Sequence, residues 1–237
     1  MKPELIEKIK SRGYWRINFQ PLVHVQKLKL GECRDIVEKY NVELRGWNYP
    51  HFPRRIGDDT GLDPCENFYE GWVDWRNHTE FWRMYESGQF LHYLALREDW
   101  MESDDWVNVH QLRISPKTVI GIIGSIIWQL TEIYEFLSRL TTTGIYDDGV
   151  RVFISLNNTK GRKLWIDDTI RIGFSTDYKT GAEKIEFTKK YTKEDVITTP
   201  KELAFEVIIY ICDRFGWNRA SVEVIKKDQD DLLNRRI

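Results

Sequence analysis

The sequence predicts an α+β fold: antiparallel sheets with helices packed on one face, arranged as two mixed lobes around a long central buried helix at about 116–140. Three observations predict it. Short runs of alternating apolar and polar residues recur, among them Trp15 to Phe19 and Val150 to Leu156, with the period of half-buried strands. Helical stripes lie between them, at Cys33, Ile36, Val37 and Tyr40 and again from Leu203 to Phe215. The connections are mostly short and turn-like, so sequential strands are placed to pair antiparallel.

In chain order, Met1 to Arg12 reads as a short amphipathic helix ended by Gly13, and the strand through Trp15, Ile17 and Phe19 follows. The helix around Cys33 to Tyr40 leads to a strand over Val42 to Trp47 and then to a long aperiodic segment, 48–70. Asn77 with Glu80 three residues on resembles a capping box, predicting a helix that ends at Gly88, with a strand from Gln89 to Leu96 beyond it. The acidic stretch from Glu98 to Arg113 has the composition of a linker. It divides an aromatic- and histidine-rich lobe, 1–110, from a second lobe, 111–237, which are alternatively one composite domain.

In the second lobe Ser115 and Pro116 form an N-cap and first-turn pair for the central helix, which is apolar all round at first. Gly121, Gly124 and Ser125 on it allow a neighbouring backbone to come close. Three strands are predicted next: Val150 to Leu156; Leu164 to Ile166 continuing through Ile170, Ile172 and Phe174; and Ile185 to Tyr191. Thr199-Pro200-Lys201-Glu202 opens a helix to Phe215, stopped by Gly216, and Ser221 caps a last one.

Composition limits the function. Thirty-two aromatics in 237 residues supply a core that needs no staples, and a formal charge of -2 excludes a chain that coats nucleic acid. Three widely spaced cysteines indicate neither a disulfide framework nor a zinc knuckle; Cys33 and Cys212 fall on apolar stripes and read as packing residues. The charged start lacks a secretory stretch, and the apolar run Val119 to Leu130 is shorter than the roughly 20 residues of a membrane span, so the expected location is cytoplasmic, off the membrane. Phosphate-loop, dinucleotide, zincin and nucleophile-elbow motifs are all missing from the sequence. No residue is therefore assigned catalysis, and no metal or cofactor is expected.

The segment from Asn48 is the candidate site, because structureless loops beyond roughly 12 to 15 residues are uncommon in compact domains and usually functional or disordered. Trp47 gives apolar anchorage; His51, Arg54 and Arg55 are suited to a phosphate or carboxylate, and Asp58, Asp59 and Asp63 to a hard cation. Trp72 and Trp75 are candidate interface anchors, as are Lys160, Arg162 and Lys163 at a predicted hairpin tip. The leading expectation is a non-enzymatic binding or scaffold protein, a subunit of a larger assembly that recognises a protein partner or an anionic ligand through its aromatic-rich half. Two alternatives stand beside it. One is a metal-dependent hydrolase or nuclease using His51, Asp58, Asp59 and Asp63; the other is nucleic-acid binding through the basic second half, where 20 Lys and Arg face 18 Asp and Glu.

Overall fold

The computed structural model describes residues 3–23, 28–76, 78–100, 117–168 and 170–235. Along the chain come α1 (Pro3–Lys10), β1 (Tyr14–Pro21), α2 (Leu30–Tyr40), β2 (Val42–Glu43), β3 (Asn48–Tyr49), β4 (Thr60–Pro64), β5 (Phe68–Asp74), β6 (Thr79–Tyr85) and β7 (Phe90–Ala95). A 3-10 turn at Arg97–Trp100 follows. After β8 (Val119–Gly121), a π-helical stretch, Ile122–Trp128, runs directly into α3 (Gln129–Thr141). Then come β9 (Val150–Asn157), β10 (Lys163–Trp165), β11 (Lys184–Tyr191), α4 (Lys193–Thr198), α5 (Pro200–Arg214) and α6 (Val222–Leu233). The fold is thus α+β, and among the described residues no helix is long and apolar enough to cross a membrane.

Seven strands form one antiparallel sheet in the order β11-β9-β1-β7-β6-β5-β4. Inside it β1 joins the halves, pairing with β7 from the first (Trp15 opposite Leu94) and with β9 from the second (Trp15 opposite Leu156). The alternation in β1 therefore has a direct cause. Trp15, Ile17 and Phe19 face the main core with Trp82, Phe90, Ile154 and Leu156, against the π-helical stretch, α3 and α5. The opposite face carries a smaller cluster in which Leu5 and Ile9 of α1 pack with Trp72, Phe81 and Ala95. Helical cover is thus heavy on one face, with the eight-residue α1 on the other.

Several expectations change. Within the segment predicted as a helix, Thr79–Tyr85 is the hairpin strand β6, and Asn77 of the predicted cap lies outside the described residues: Trp82 and Met84 are buried on one face and Phe81 on the other, so burial on both sides hides the period of two. Gly88, at φ +81°, makes the turn into β7, where its amide donates to Tyr85 O. The segment 48–70 is not one loop, because β3, β4 and the start of β5 occupy much of it. Gly61 of β4 lies beneath the Trp72 ring, where an added Cβ would come within 2.2 Å of Trp72 Nε1. The predicted continuation of a strand through Ile170, Ile172 and Phe174 is loop, with both isoleucines 92% exposed. Finally, the strand over Val42 to Trp47 is reduced to two residues, and the segment after it turns away into a cleft.

The central helix forms, but it begins at Ile122. Val119 to Gly121 instead pair parallel with Lys163 to Trp165, and the Ser115-Pro116 cap lies outside the described residues. Pro200 opens α5 as expected, although the Thr199 hydroxyl donates back to Asp195 O, closing α4. Ser221 caps α6 through the Val224 amide. Cys33 and Cys212 are buried, and burial pushes both thiols up to about 12, which leaves them unreactive packing residues.

Candidate functional site

A cleft of about 610 Å³ opens where β7 runs into the 3-10 turn, beside the connection between β2 and β3 and the start of the joined helix. This is the size of a small-molecule site. Trp15, Trp47, Trp128 and Trp165 line it with Leu94 and Leu96, and four indoles are an unusual share of one wall. Two are fixed by hydrogen bonds: Trp15 Nε1 donates to Ser125 O at 3.1 Å and Trp128 Nε1 to Asp228 O at 3.2 Å. Rings tethered in this way bind a flat or ring-shaped partner with little loss of side-chain freedom.

Arg45 organises the polar side. Its guanidinium donates to both carboxylate oxygens of the fully buried Glu132, to Gly124 O at 3.0 Å and to Gln129 Oε1 at 3.0 Å. Because the Gln129 carbonyl is committed to Arg45, the amide orientation is set and Nε2 is left without a partner. Glu132 is raised by burial, with Arg45 pulling the other way.

Two carboxyl groups sit together at the head of the joined helix. Asp167 reaches in from the loop after β10, and its Oδ1 and Oδ2 accept from the Ile123 and Gly124 amides, each at 2.8 Å. These are amides that a helix start leaves unsatisfied, and they favour the anion, yet burial outweighs them and raises the Asp167 carboxyl. Glu98, 4% exposed, accepts the Gly121 amide on Oε1 at 2.5 Å, and the Ser125 hydroxyl also acts on its carboxyl group. Burial first, and the Asp167 charge second, push the Glu98 carboxyl up to about 7, against the Ser125 hydroxyl and the Gly121 amide, which favour the anion. Gly121 makes the pairing possible. A Cβ there would lie 2.4 Å from Asp167 Oδ2 and 2.7 Å from Glu98 Oε1.

His78, at the cleft edge, belongs to a buried relay. Glu80 is 1% exposed; its Oε1 accepts the His51 amide at 2.5 Å, and its Oε2 lies 3.4 Å from His78 Nε2 and 3.2 Å from His92 Nε2. Neither imidazole contact has hydrogen-bond alignment, so both are ion-pair distances only. Burial raises Glu80, yet His92 and His78 outweigh it and hold the carboxyl well below the usual range. Tyr49 Oη lies 3.0 Å from His92 Nδ1, completing the chain.

The residues expected from the sequence are dispersed. Trp47 lines the cleft. His51 is half-buried, its ring 4.8 Å from that of Trp75, and burial lowers its pKa. Arg54, Arg55, Asp58 and Asp59 are exposed on the segment between β3 and β4, and Asp63 accepts the Trp72 indole at 3.1 Å. Trp72 is buried, whereas Trp75 is 42% exposed. Lys160 is exposed, Lys163 pairs with Asp177, and Arg162 is buried in a two-point ion pair with Asp99. Among the described residues no three His, Cys, Asp or Glu side chains gather as a metal site, so the proposed His51, Asp58, Asp59 and Asp63 set has no common centre.

The sequence reading missed Arg45, His78, Glu98, Gln129 and Asp167 as site residues. A partial signal existed in Gly121 and Gly124, whose close neighbour is a carboxyl group and not a backbone. Compared with protein-family models, with curated proteins and with solved structures, the chain matches none.

Proposed function

We propose that this is a binding protein whose ligand is a ring-shaped, hydroxyl-bearing small molecule, such as a sugar or a nucleoside, held in the tryptophan-walled cleft. One observation carries the reading. Three partly exposed tryptophans, Trp47, Trp128 and Trp165, line the cleft beside the polar side chains of Arg45, Gln129 and Asp167. Aromatic walls with polar groups between them suit a ligand that is apolar on its faces and polar at its edges.

Intrinsic tryptophan fluorescence, titrated with a panel of monosaccharides, disaccharides and nucleosides, tests this. At least one member is expected to shift the emission saturably, and Gln129→Leu is expected to weaken that ligand roughly 10-fold or more, as losing one hydrogen bond from a polar site does. A panel that moves neither emission nor melting temperature would rule the reading out.

A second reading, a protein partner at the same rim, is favoured by the exposure of Trp47 (39%) and Trp75 (42%) around His51 and His78. A protein retained by the wild type and lost in Trp75→Ala, with no small-molecule binding, would support it over the first.

A further inference from the structure

β11 (Lys184–Tyr191) is the last strand of the sheet, and its outer side is open. Among the described residues its backbone pairs with β9 alone. At eight residues it exceeds the mean strand of about 5 to 6, and it has neither proline nor glycine to interrupt a further ladder. The opposite edge differs: β4 is five residues long and carries Gly61 and Pro64. An edge of unpaired amides and carbonyls is a template for another strand, and lysines are a common device for blunting it. β11 carries Lys184, Lys189 and Lys190, so a strand that pairs there must meet lysine with acid.

The strand's own sequence does so. Lys184, Glu186, Thr188 and Lys190 share the face away from the main core and are all exposed. Ile185, Phe187 and Tyr191 pack on the core face, where Lys189 lies 2.7 Å from Glu206 of α5. Two identical strands related by a two-fold axis perpendicular to the sheet run antiparallel, with residues of the same face opposite one another, so the axis passes through a residue. With Thr188 on the axis, Ile185 to Tyr191 all pair. Glu186 then stands opposite Lys190 of the second copy, and Lys190 opposite its Glu186. On the core face Ile185 meets Tyr191, and Phe187 meets the stem of Lys189. An axis one residue earlier sets Lys184 against Lys190; one residue later it sets Lys189 against its own copy. An axis at Glu186 opposes two identical carboxylates, and one at Ile185 pairs only Lys184 to Glu186 of the strand.

We propose that β11 is a dimerisation edge, where a second copy of this chain adds its own β11 antiparallel with Thr188 on the two-fold axis, joining two seven-stranded sheets into one. Opposite charges directly across a ladder stabilise it and like charges oppose it, so charge selects both the partner and the register. Glu186 lies 2.9 Å from Lys184 of its own strand, and Lys190 of the second copy approaches it from the other side. One strand from each copy makes a small contact, so the association belongs to the weak class of interfaces. No residue of β11 lines the cleft, which makes dimerisation and ligand binding separately testable.

Sedimentation velocity of the full chain over about 1 to 200 µM is expected to show a reversible monomer–dimer equilibrium that shifts to monomer as salt rises. Glu186→Lys sets lysine against lysine at both symmetry-related positions and is expected to weaken the dimer roughly 10-fold or more, as is Lys190→Glu, which sets acid against acid. The double variant Glu186→Lys/Lys190→Glu restores opposite pairs and is expected to recover the wild-type dissociation constant. Thr188→Cys reads the register, because residues on the axis face each other with Cα atoms about 4.5 to 5.5 Å apart, within reach of a disulfide. Under mild oxidation it is expected to crosslink the dimer, whereas the wild type and Lys184→Cys do not, the two copies of position 184 being about 26 Å apart along the strands. A strict monomer over the whole range, a dimer that neither charge reversal weakens, or crosslinking by Lys184→Cys in preference to Thr188→Cys would each overturn the proposal.

Discussion

At Glu98 burial and a neighbouring carboxylate act in the same direction, so its proton is retained to about 7 instead of the ordinary 4.5. The folded state therefore binds more protons than the unfolded chain between these values, and stability falls as pH rises through that window. The contribution is fully present below about pH 4.5 and lost above about pH 7, a change on the order of 3 kcal/mol for a group this buried. Glu80 works in the opposite sense: held low by His92 and His78, it contributes above the ordinary carboxylate range and is lost on acidification. Melting temperatures of the wild type and Glu98→Gln, measured between pH 5 and 8, should diverge with rising pH, the wild type falling relative to the variant. Parallel curves would contradict the buried, neutral Glu98. None of this was visible in the sequence, where Glu98 is one acid in an acidic run. Its neighbours Asp167 and Gly121 are 69 and 23 positions away, and burial is what changes its chemistry.

At the scale of elements, the start of the joined helix decides the site. The apolar run from Val119 reads as continuous helix, yet its first residues pair with β10, and the helix begins where Asp167 satisfies its amides. A π-helical turn at such a place widens the backbone, and such turns are frequent at functional sites. Gly121 has φ -65° and ψ 124°, which any residue adopts, so its requirement for glycine is steric alone. Gly121→Ala is expected to cost about 1 to 3 kcal/mol, lowering the melting temperature by roughly 2 to 4 °C for each of these, and to weaken ligand binding by displacing both carboxyl groups. Gly173→Ala, with nothing within 4 Å of the new carbon, is the matched control expected to leave both unchanged. Unaltered melting and binding in Gly121→Ala would show that the carboxyl groups are not packed as described. The legible elements were those with one wet face, such as α2, α5 and β1. The hairpin β6 was read as a helix because both of its faces are covered, and the short pairings β3 and β4 carry too few residues for a period to show.

For the whole molecule, the sheet is the connecting element. β1, from the first twenty-one residues, stands between β7 and β9, so strands of both sequence halves share one hydrogen-bonded ladder and one main core. Seven of the ten tryptophans belong to the first half, while β9, α5 and α6 belong to the second. Urea unfolding followed by tryptophan fluorescence and by far-ultraviolet circular dichroism is therefore expected to give coincident transitions. Two resolved transitions would mean that the halves unfold separately despite the shared sheet.

By itself the sequence determined the α+β class, the stripes that bury α2 and α5, the packing role of two cysteines and the concentration of aromatic rings in the first half. These follow from local periodicity and composition, which each segment carries alone. The tertiary structure decided the location of the cleft, the polar groups that line it and the partnership of Glu98 with Asp167. Such properties depend on desolvation and on distances between residues far apart in the chain, and neither exists until the sheet and the joined helix have come together.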